Sequence, residues 1–166
     1  ISTVIPGKET PFGVLSAHSG ELRRFSADEI DFLQGMALCL ANAVERLQAQ
    51  AQLDRFFHLS PDLFCIANTD GYFKRINPRF QDLLGYSETE LLSTEALEFV
   101  HPEDISATRA ELERLSWGIP TDNLEHRYRC ADGSYRWLAW KAIPYDDELI
   151  YAVARDITDR KQLETQ

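Results

Sequence analysis

The sequence has no hydrophobic run long enough to cross a membrane. Among its 166 residues, no stretch approaches the roughly 18 consecutive apolar residues that a membrane-spanning helix requires. It also lacks a cluster of lysine and arginine, and its net charge of -10 argues against binding to nucleic acid or to an anionic lipid surface. We therefore expect protein or small-molecule partners and a cytoplasmic location.

Cysteine and the common catalytic signatures are also scarce. The three cysteines are Cys39, Cys65 and Cys130. They are far apart and each lies in an apolar pattern, which predicts buried free thiols in a reducing compartment rather than a metal site. No phosphate-binding loop, Gly-Gly-Asp-Glu-Phe cyclase signature, Cys-x-x-Cys pair or His-Glu-x-x-His motif occurs, so we expect no enzyme active site. The acidic run Asp146-Asp147-Glu148 predicts a solvated turn rather than a metal site.

What is present is a folded chain with an unusually long helix. Hydrophobic residues make up 44%, enough for a core, and the chain starts with isoleucine, so we expect a segment of a longer protein. Residues 1–5 and 12–18 have the composition of two short strands. Ser26 and Glu29 form a capping-box pattern, and the segment 27–59 predicts a single helix far longer than the average.

The long helix carries an apolar seam with the alternating three-residue and four-residue spacing of a coiled coil. The seam consists of Ile30, Leu33, Ala37, Leu40, Val44 and Leu47, and extends to Ala51. A second apolar row comprises Phe32, Met36, Cys39 and Ala43. Because only the seam continues into the later part of the helix, we expect a homodimer through it; the alternative is a helix packed on its own chain.

Strand and helix signals then alternate from residue 60 onward. The predicted strands are 63–69, 72–76, 122–130, 134–143 and 148–156. The predicted helices are 79–84, a turn opening at the capping box of Ser87, 101–117, and a last helix opening at Asp156-Ile157-Thr158-Asp159. This order predicts an α+β fold: a five-stranded antiparallel sheet with helices on one face, preceded by a β-hairpin and the coiled-coil-like helix.

The turn Ala131-Asp132-Gly133 determines the register of the hairpin around it. On both sides the even-numbered residues are the apolar ones, so a two-residue loop would set charged side chains beside apolar ones. A three-residue loop with Gly133 in the left-handed conformation makes the two apolar faces coincide. The resulting pairs are 130 with 134, 128 with 136, 126 with 138 and 124 with 140.

Six short motifs stand out between residues 77 and 158. They are Asn77-Pro78, Leu84-Gly85-Tyr86, His101-Pro102-Glu103-Asp104, Glu125-x-Arg127, Asp132-Gly133-x-x-x-Trp137 and Asp156-Ile157-Thr158. Together they resemble a PAS sensory domain with its C-terminal PAC motif, over residues 53–158. Residues 1–50 resemble the C-terminal end of a GAF domain with a long linker helix, about 26–59, and 159–166 the start of an output helix. The resemblance implies a bacterial signalling protein.

The resemblance implies a pocket between the inner face of the sheet and the short helices. The candidate pocket residues are Ile66, Phe80, Leu84, Tyr128, Leu138 and Trp140. Tyr128 and Leu138 stand where flavin-binding relatives have asparagine, and residues 103–117 lack the axial histidine of haem-binding relatives. Flavin and haem are therefore not expected, and the cofactor stays unknown. Alternatively, these side chains fill the core, and the domain is a ligand-free dimerisation and relay module.

The last predicted strand runs directly into the last helix. Asp156 can bond to the backbone or to a basic side chain there, and Thr158 can cap the helix, which would fix the angle at which it leaves. The resemblance implies that a small-molecule or protein signal is relayed through this junction to a histidine kinase or diguanylate cyclase. The alternative is that Asp156 and Thr158 merely terminate the strand.

Overall fold

The computed structural model describes residues 1–146 and 148–164, which belong to two units, Ile1–Arg55 and Phe56–Gln166. In the N-terminal unit, strands β1 (Ser2–Ile5) and β2 (Gly13–Ser16) pair antiparallel. Helix α1 (Ala27–Leu59) follows and continues into the second unit, here called the sheet unit. The predicted capping box is confirmed, because Ser26 N donates to Glu29 Oε2 at 2.8 Å and Glu29 N donates to Ser26 Oγ at 3.2 Å.

The seam predicted on α1 is divided between covered and exposed positions. The buried side chains of this helix are Leu33, Ala37 and Ala41, whereas Leu40 and Leu47 of the seam are 41% and 70% exposed. Ile30 and Val44 are half-buried. The side chains open to a partner form a neighbouring row, here called the exposed row: Phe32, Met36, Leu40, Ala43 and Leu47. Cys39 is also exposed, so the prediction that all three thiols are buried is wrong for this one.

The sheet unit contains the predicted five-stranded antiparallel sheet with its helices, so the α+β fold is confirmed. Its strands are β3 (Leu63–Asn68), β4 (Phe73–Ile76), β5 (Thr121–Arg129), β6 (Tyr135–Pro144) and β7 (Leu149–Asp156). Their order across the sheet is β4-β3-β7-β6-β5, so the last strand lies at the centre. The helices are α2 (Arg79–Leu84), α3 (Glu88–Ser93), α4 (Ile105–Ser116) and α5 (Thr158–Glu164).

The β5–β6 hairpin has the predicted register. Leu124 lies opposite Trp140, and His126 lies opposite Leu138. Gly133 has a φ of 83°, and the loop closes where the backbone N of residue 130 donates to the carbonyl of residue 134 at 2.8 Å. The inner faces of both strands therefore point to the same side of the sheet, toward the core.

Asn77 joins the end of α1 to the sheet within this unit. Its side chain is fully buried, and its Nδ2 donates to the carbonyls of Phe57 at 3.0 Å and Asp62 at 2.9 Å. Its Oδ1 accepts a hydrogen bond from Phe64 N at 3.1 Å. One amide therefore connects the last turns of α1 to the start of β3. A buried amide without these hydrogen-bond partners would destabilise the folded state.

Candidate ligand cavity and helix junction

A cavity of about 70 Å³ lies between the inner face of the sheet and α4. Its wall residues include Cys65, Ala67, Phe73, Ala96, Thr108, Leu112, Leu115, Leu124, His126, Trp140, Ala142, Ile150 and Ala152. The surface that they present to the cavity is almost entirely apolar. The space exists because the residues on β3, β6 and β7 that border it include alanines. Their short side chains do not reach the facing helix as leucine or phenylalanine would.

His126 projects from β5 into this region and is only 3% exposed. Its Nδ1 lies 2.8 Å from Thr108 Oγ1, and the Thr108 hydroxyl donates to the Asp104 carbonyl at 2.9 Å. Because a hydroxyl has one proton, Nδ1 must be the donor to Thr108, which leaves Nε2 unprotonated. Burial lowers the pKa of His126 to about 4, although the charge of Asp104 acts in the opposite direction. The imidazole is therefore neutral near pH 7.

Trp140 on β6 is 7% exposed, and its indole nitrogen Nε1 is also buried. Among the residues that the structure describes, His126 Nε2 and Trp140 Nε1 are the buried side-chain nitrogen or oxygen atoms without a hydrogen-bond partner. The centroids of the two rings lie 6.0 Å apart, and the ring planes are tilted by 59°. Each of these atoms costs about 1 to 3 kcal/mol if it stays unpaired.

Other polar side chains at the cavity are already engaged. Thr121 Oγ1 donates to Glu111 Oε2 at 2.8 Å, and the Asn68 Oδ1 accepts from Tyr72 N at 2.8 Å. A molecule in the cavity would therefore meet an almost entirely apolar surface.

The structure separates the six predicted pocket residues. Trp140 lines the cavity, whereas four others are buried in the adjoining core: Phe80 and Leu84 on α2, Tyr128 on β5 and Leu138 on β6. Ile66 lies on the other face of β3, since its neighbours Cys65 and Ala67 line the cavity and successive side chains alternate. The prediction selected bulky side chains, but bulky side chains fill space, and the cavity forms beside small ones.

The proposed junction residues Asp156 and Thr158 are in contact with each other. Asp156 Oδ1 accepts from Thr158 N at 2.9 Å and from the Thr158 hydroxyl at 2.5 Å. Thr158 Oγ1 in turn accepts a hydrogen bond from Trp137 N on β6 at 3.0 Å. Arg136 lies 3.6 Å from Asp156, so its charged head finds a partner at the sheet end. These contacts connect the start of α5 to β6.

Beyond Thr158, charged residues of α5 form ion pairs with the sheet. Glu125 on β5 pairs with Arg160 at 2.5 Å and with Lys161 at 2.7 Å, and these hydrogen bonds, that of Lys161 first, lower the pKa of the Glu125 carboxyl. Lys161 also lies 5.1 Å from the centre of the Trp137 ring. The Arg127 guanidinium carbon also lies 5.3 Å from the centre of the Trp137 ring. The outer faces of β5 and β6 therefore hold the exit helix.

His101 and Asp146 accept hydrogen bonds from nearby backbone. His101 Nδ1 accepts from Glu103 N at 3.2 Å, as a helix-start residue does. Asp146 Oδ1 accepts from the backbone of Glu148 and Leu149, which forms a turn, while Asp147 lies outside the described residues. In the described ranges no group of three His, Cys, Asp or Glu side chains could hold a metal ion.

Residues 73–150 match the family model described as the PAS fold. The PAS domain of an HTR-like protein from Haloarcula marismortui is 27% identical and superimposes with a TM-score of 0.61, over 70% of this chain and 98% of that one. Domains of a sensory box sensor histidine kinase/response regulator from Geobacter sulfurreducens and of a diguanylate cyclase with PAS/PAC sensor from Marinobacter aquaeolei share the fold. They are 23% and 22% identical, cover 66% and 60% of this chain and 96% and 98% of their own, and have TM-scores of 0.57 and 0.54. The sheet unit therefore has the PAS fold, a sensory fold that is typically non-catalytic.

Two curated proteins are similar in sequence. A methyl sulfide methyltransferase-associated sensor from Methanosarcina acetivorans is 28% identical over 163 residues, which is 92% of this chain and 16% of that protein. An aryl hydrocarbon receptor nuclear translocator homolog from Drosophila melanogaster is 35% identical over 89 residues, which is 51% of this chain and 14% of that protein. The chain thus spans about a sixth or less of the length of these relatives. No described helix is long and apolar enough to span a membrane.

Proposed function

We propose that this chain is a sensory module that binds a small molecule in the cavity and relays the change through α1 and α5 to a histidine kinase or diguanylate cyclase in the same protein. The observation that carries the proposal is the position of two tryptophans on β6. Trp140 lies at the cavity, and Trp137, three residues earlier on the same strand, contacts α5. A displacement of β6 by a ligand would reach the exit helix through one strand.

The domain organisation is part of this proposal. Residues 53–158 would form the PAS domain with its PAC motif, residues 1–50 the end of a GAF-like domain, and residues 159–166 the start of an output helix. Similar PAS domains occur in a sensor histidine kinase and in a diguanylate cyclase, which supports one of these outputs. We place the protein in the cytoplasm of a bacterium, where it would act as a homodimer.

A second candidate function is a ligand-free dimerisation and relay module. It is favoured by the predicted pocket residues that pack as solid core, Phe80 and Leu138 among them, and by the exposed row on α1. Native mass spectrometry of the purified chain, with an absorption spectrum, distinguishes the two. A retained small molecule supports the sensor, and an unliganded mass after gentle isolation from cells supports the relay.

The relay itself is tested at the junction in the full-length protein. Asp156→Ala and Thr158→Val remove the contacts between β6 and α5, and we expect each to change phosphorylation or cyclase output at least severalfold. Ser87→Ala is the matched control, because it removes the capping box of α3, also at a cost of about 1 kcal/mol, away from the junction. If the change in output is proportional to the change in melting temperature in all three variants, the relay is contradicted.

A further inference from the structure

The cavity between the inner face of the sheet and α4 offers a ligand almost no polar surface. Leu112 and Leu115 of α4 line one side of it, and Ala142, Ile150 and Ala152 of the sheet line the other. A molecule in this space would therefore meet almost only apolar atoms. Its binding would come from the removal of its own apolar surface from water and from dispersion contacts with these side chains.

The polar atoms near this wall are not available to a ligand. His126 Nε2 and Trp140 Nε1 have no hydrogen-bond partner, but both are covered by protein atoms and are inaccessible from the cavity. The hydroxyls of Thr108 and Thr121 already donate to oxygen atoms of the protein. A hydroxyl, amide or charged group of a ligand would therefore lose its hydrogen bonds to water without replacing them, which weakens binding.

The same reasoning makes a water molecule a poor occupant of the cavity. A buried water makes about three hydrogen bonds to polar groups of the protein, and this wall does not supply them. Cavities lined by leucine, isoleucine and phenylalanine stay dry, and one of roughly 150 Å³ takes up benzene or xenon. The present cavity of about 70 Å³ is smaller, so it has room for only a few non-hydrogen atoms.

We infer that the cavity binds a small, wholly apolar molecule that is smaller than benzene and has no hydrogen-bonding group, such as a short hydrocarbon. This inference rests on the proposed sensory function and names the class of its ligand. The bound molecule contacts Leu112 and Leu115 on α4 and Ala142 on β6, and so adds contacts between the helix and the sheet where the short alanine side chains leave them out.

The test compares ethane with methanol, which have the same number of non-hydrogen atoms and differ by one hydroxyl group. In the full chain with ¹³C-labelled methyl groups, we expect dissolved ethane to shift the signals of Leu115, Ile150 and Ala152 in a saturable manner, with a dissociation constant on the order of millimolar. Methanol should bind at least about tenfold more weakly, because its hydroxyl leaves water and finds no partner in the cavity.

Two variants locate the binding site. Ala142→Leu enlarges a side chain of the cavity wall and should abolish the ethane-dependent shifts at Leu115 and Ile150. Ala139→Leu makes the same change on the other face of β6, because successive side chains of a strand alternate, and should leave the affinity for ethane unchanged. The comparison of ethane with methanol uses the unmodified chain, so it holds even if Ala142→Leu does not fold.

Equal affinities for the two molecules, tighter binding of methanol, or the absence of a saturable ethane shift would each overturn the assigned class. Loss of ethane binding in Ala139→Leu as well as in Ala142→Leu would overturn the assigned site. A polar molecule retained in the mass spectrum, without ethane binding, would refute the class and leave the sensory function standing. Conversely, saturable ethane binding in a full-length protein whose output ignores the junction variants would leave the class intact and refute the relay.

Discussion

His126 is buried as a neutral imidazole whose Nδ1 proton is held by Thr108. Its pKa in the folded chain, about 4, is below the value of about 6.5 expected in the unfolded chain. As pH falls, the unfolded state therefore takes up the proton first. The stabilisation is complete above pH 6.5 and is lost as pH falls toward 4.

We expect the free energy of unfolding to decrease by up to roughly 3 kcal/mol over this window because of His126, following 1.36 kcal/mol per pKa unit. Denaturant unfolding between pH 6.5 and 5 measures the slope. His126→Leu should flatten it. The exposed His18→Leu is the control, and an equal flattening by both variants would contradict a buried neutral His126.

Sequence reasoning reached some site residues and missed others for a physical reason. Asp156 and Thr158 were predicted because capping chemistry acts over two or three residues along the chain. His126 was passed over, although a polar residue among the apolar even positions of β5 was a visible signal. Its partner Thr108 lies on another element, and no local pattern joins the two.

At the scale of elements, the turn at Gly133 determines the register of the β5–β6 hairpin. Its φ of 83° belongs to the left-handed region, while a Cβ at this position would meet no atom within 4 Å. Any penalty for a larger side chain there comes from the backbone alone, without steric contact.

We expect Gly133→Val to lower the free energy of unfolding by about 1 to 2 kcal/mol. Ser134→Val on the adjoining strand should cost much less, and Gly133→Asn should lie between them, because asparagine tolerates the left-handed conformation. Chemical denaturation of the three variants provides the values. Similar losses for Gly133→Val and Gly133→Asn would show that strain at this φ is not the cause.

Most elements could be predicted because their signals are local. The capping box at Ser87 and the left-handed Gly85 mark helix ends, and both are present. The register of β5 and β6 followed from one turn and the alternation of side chains. The position of β7 at the sheet centre did not follow, because its pairing with β3 joins distant parts of the chain that share no turn.

At the scale of the whole molecule, the exposed row on α1 bears on self-association. Phe32 and Met36 are exposed, as are Leu40 and Leu47. The spacing from residue 36 to 40, 43 and 47 repeats as in a coiled coil, and the burial of Leu33 and Ala37 moves the proposed contact from the predicted seam to this row.

We expect the chain to be a dimer at micromolar concentration, and Leu40→Asp or Leu47→Asp to weaken it more than about tenfold, because each would bury an unpaired carboxylate. Sedimentation equilibrium measures the constant. Leu38→Asp is the matched control, since Leu38 is 56% exposed but lies on a different side of α1. A monomer in all cases, or equal weakening by Leu38→Asp, would refute an interface along the exposed row.

The central place of β7 has a consequence for synthesis on the ribosome. Leu63 of β3 pairs with Ala154 of β7, so the sheet cannot close until nearly all of the sheet unit has left the exit tunnel. Translation adds roughly 5 to 20 residues per second, which leaves β3 and β4 without this neighbour for seconds. The strand that completes the sheet is followed directly by α5, so the nascent chain acquires its core and its exit helix in a single late step.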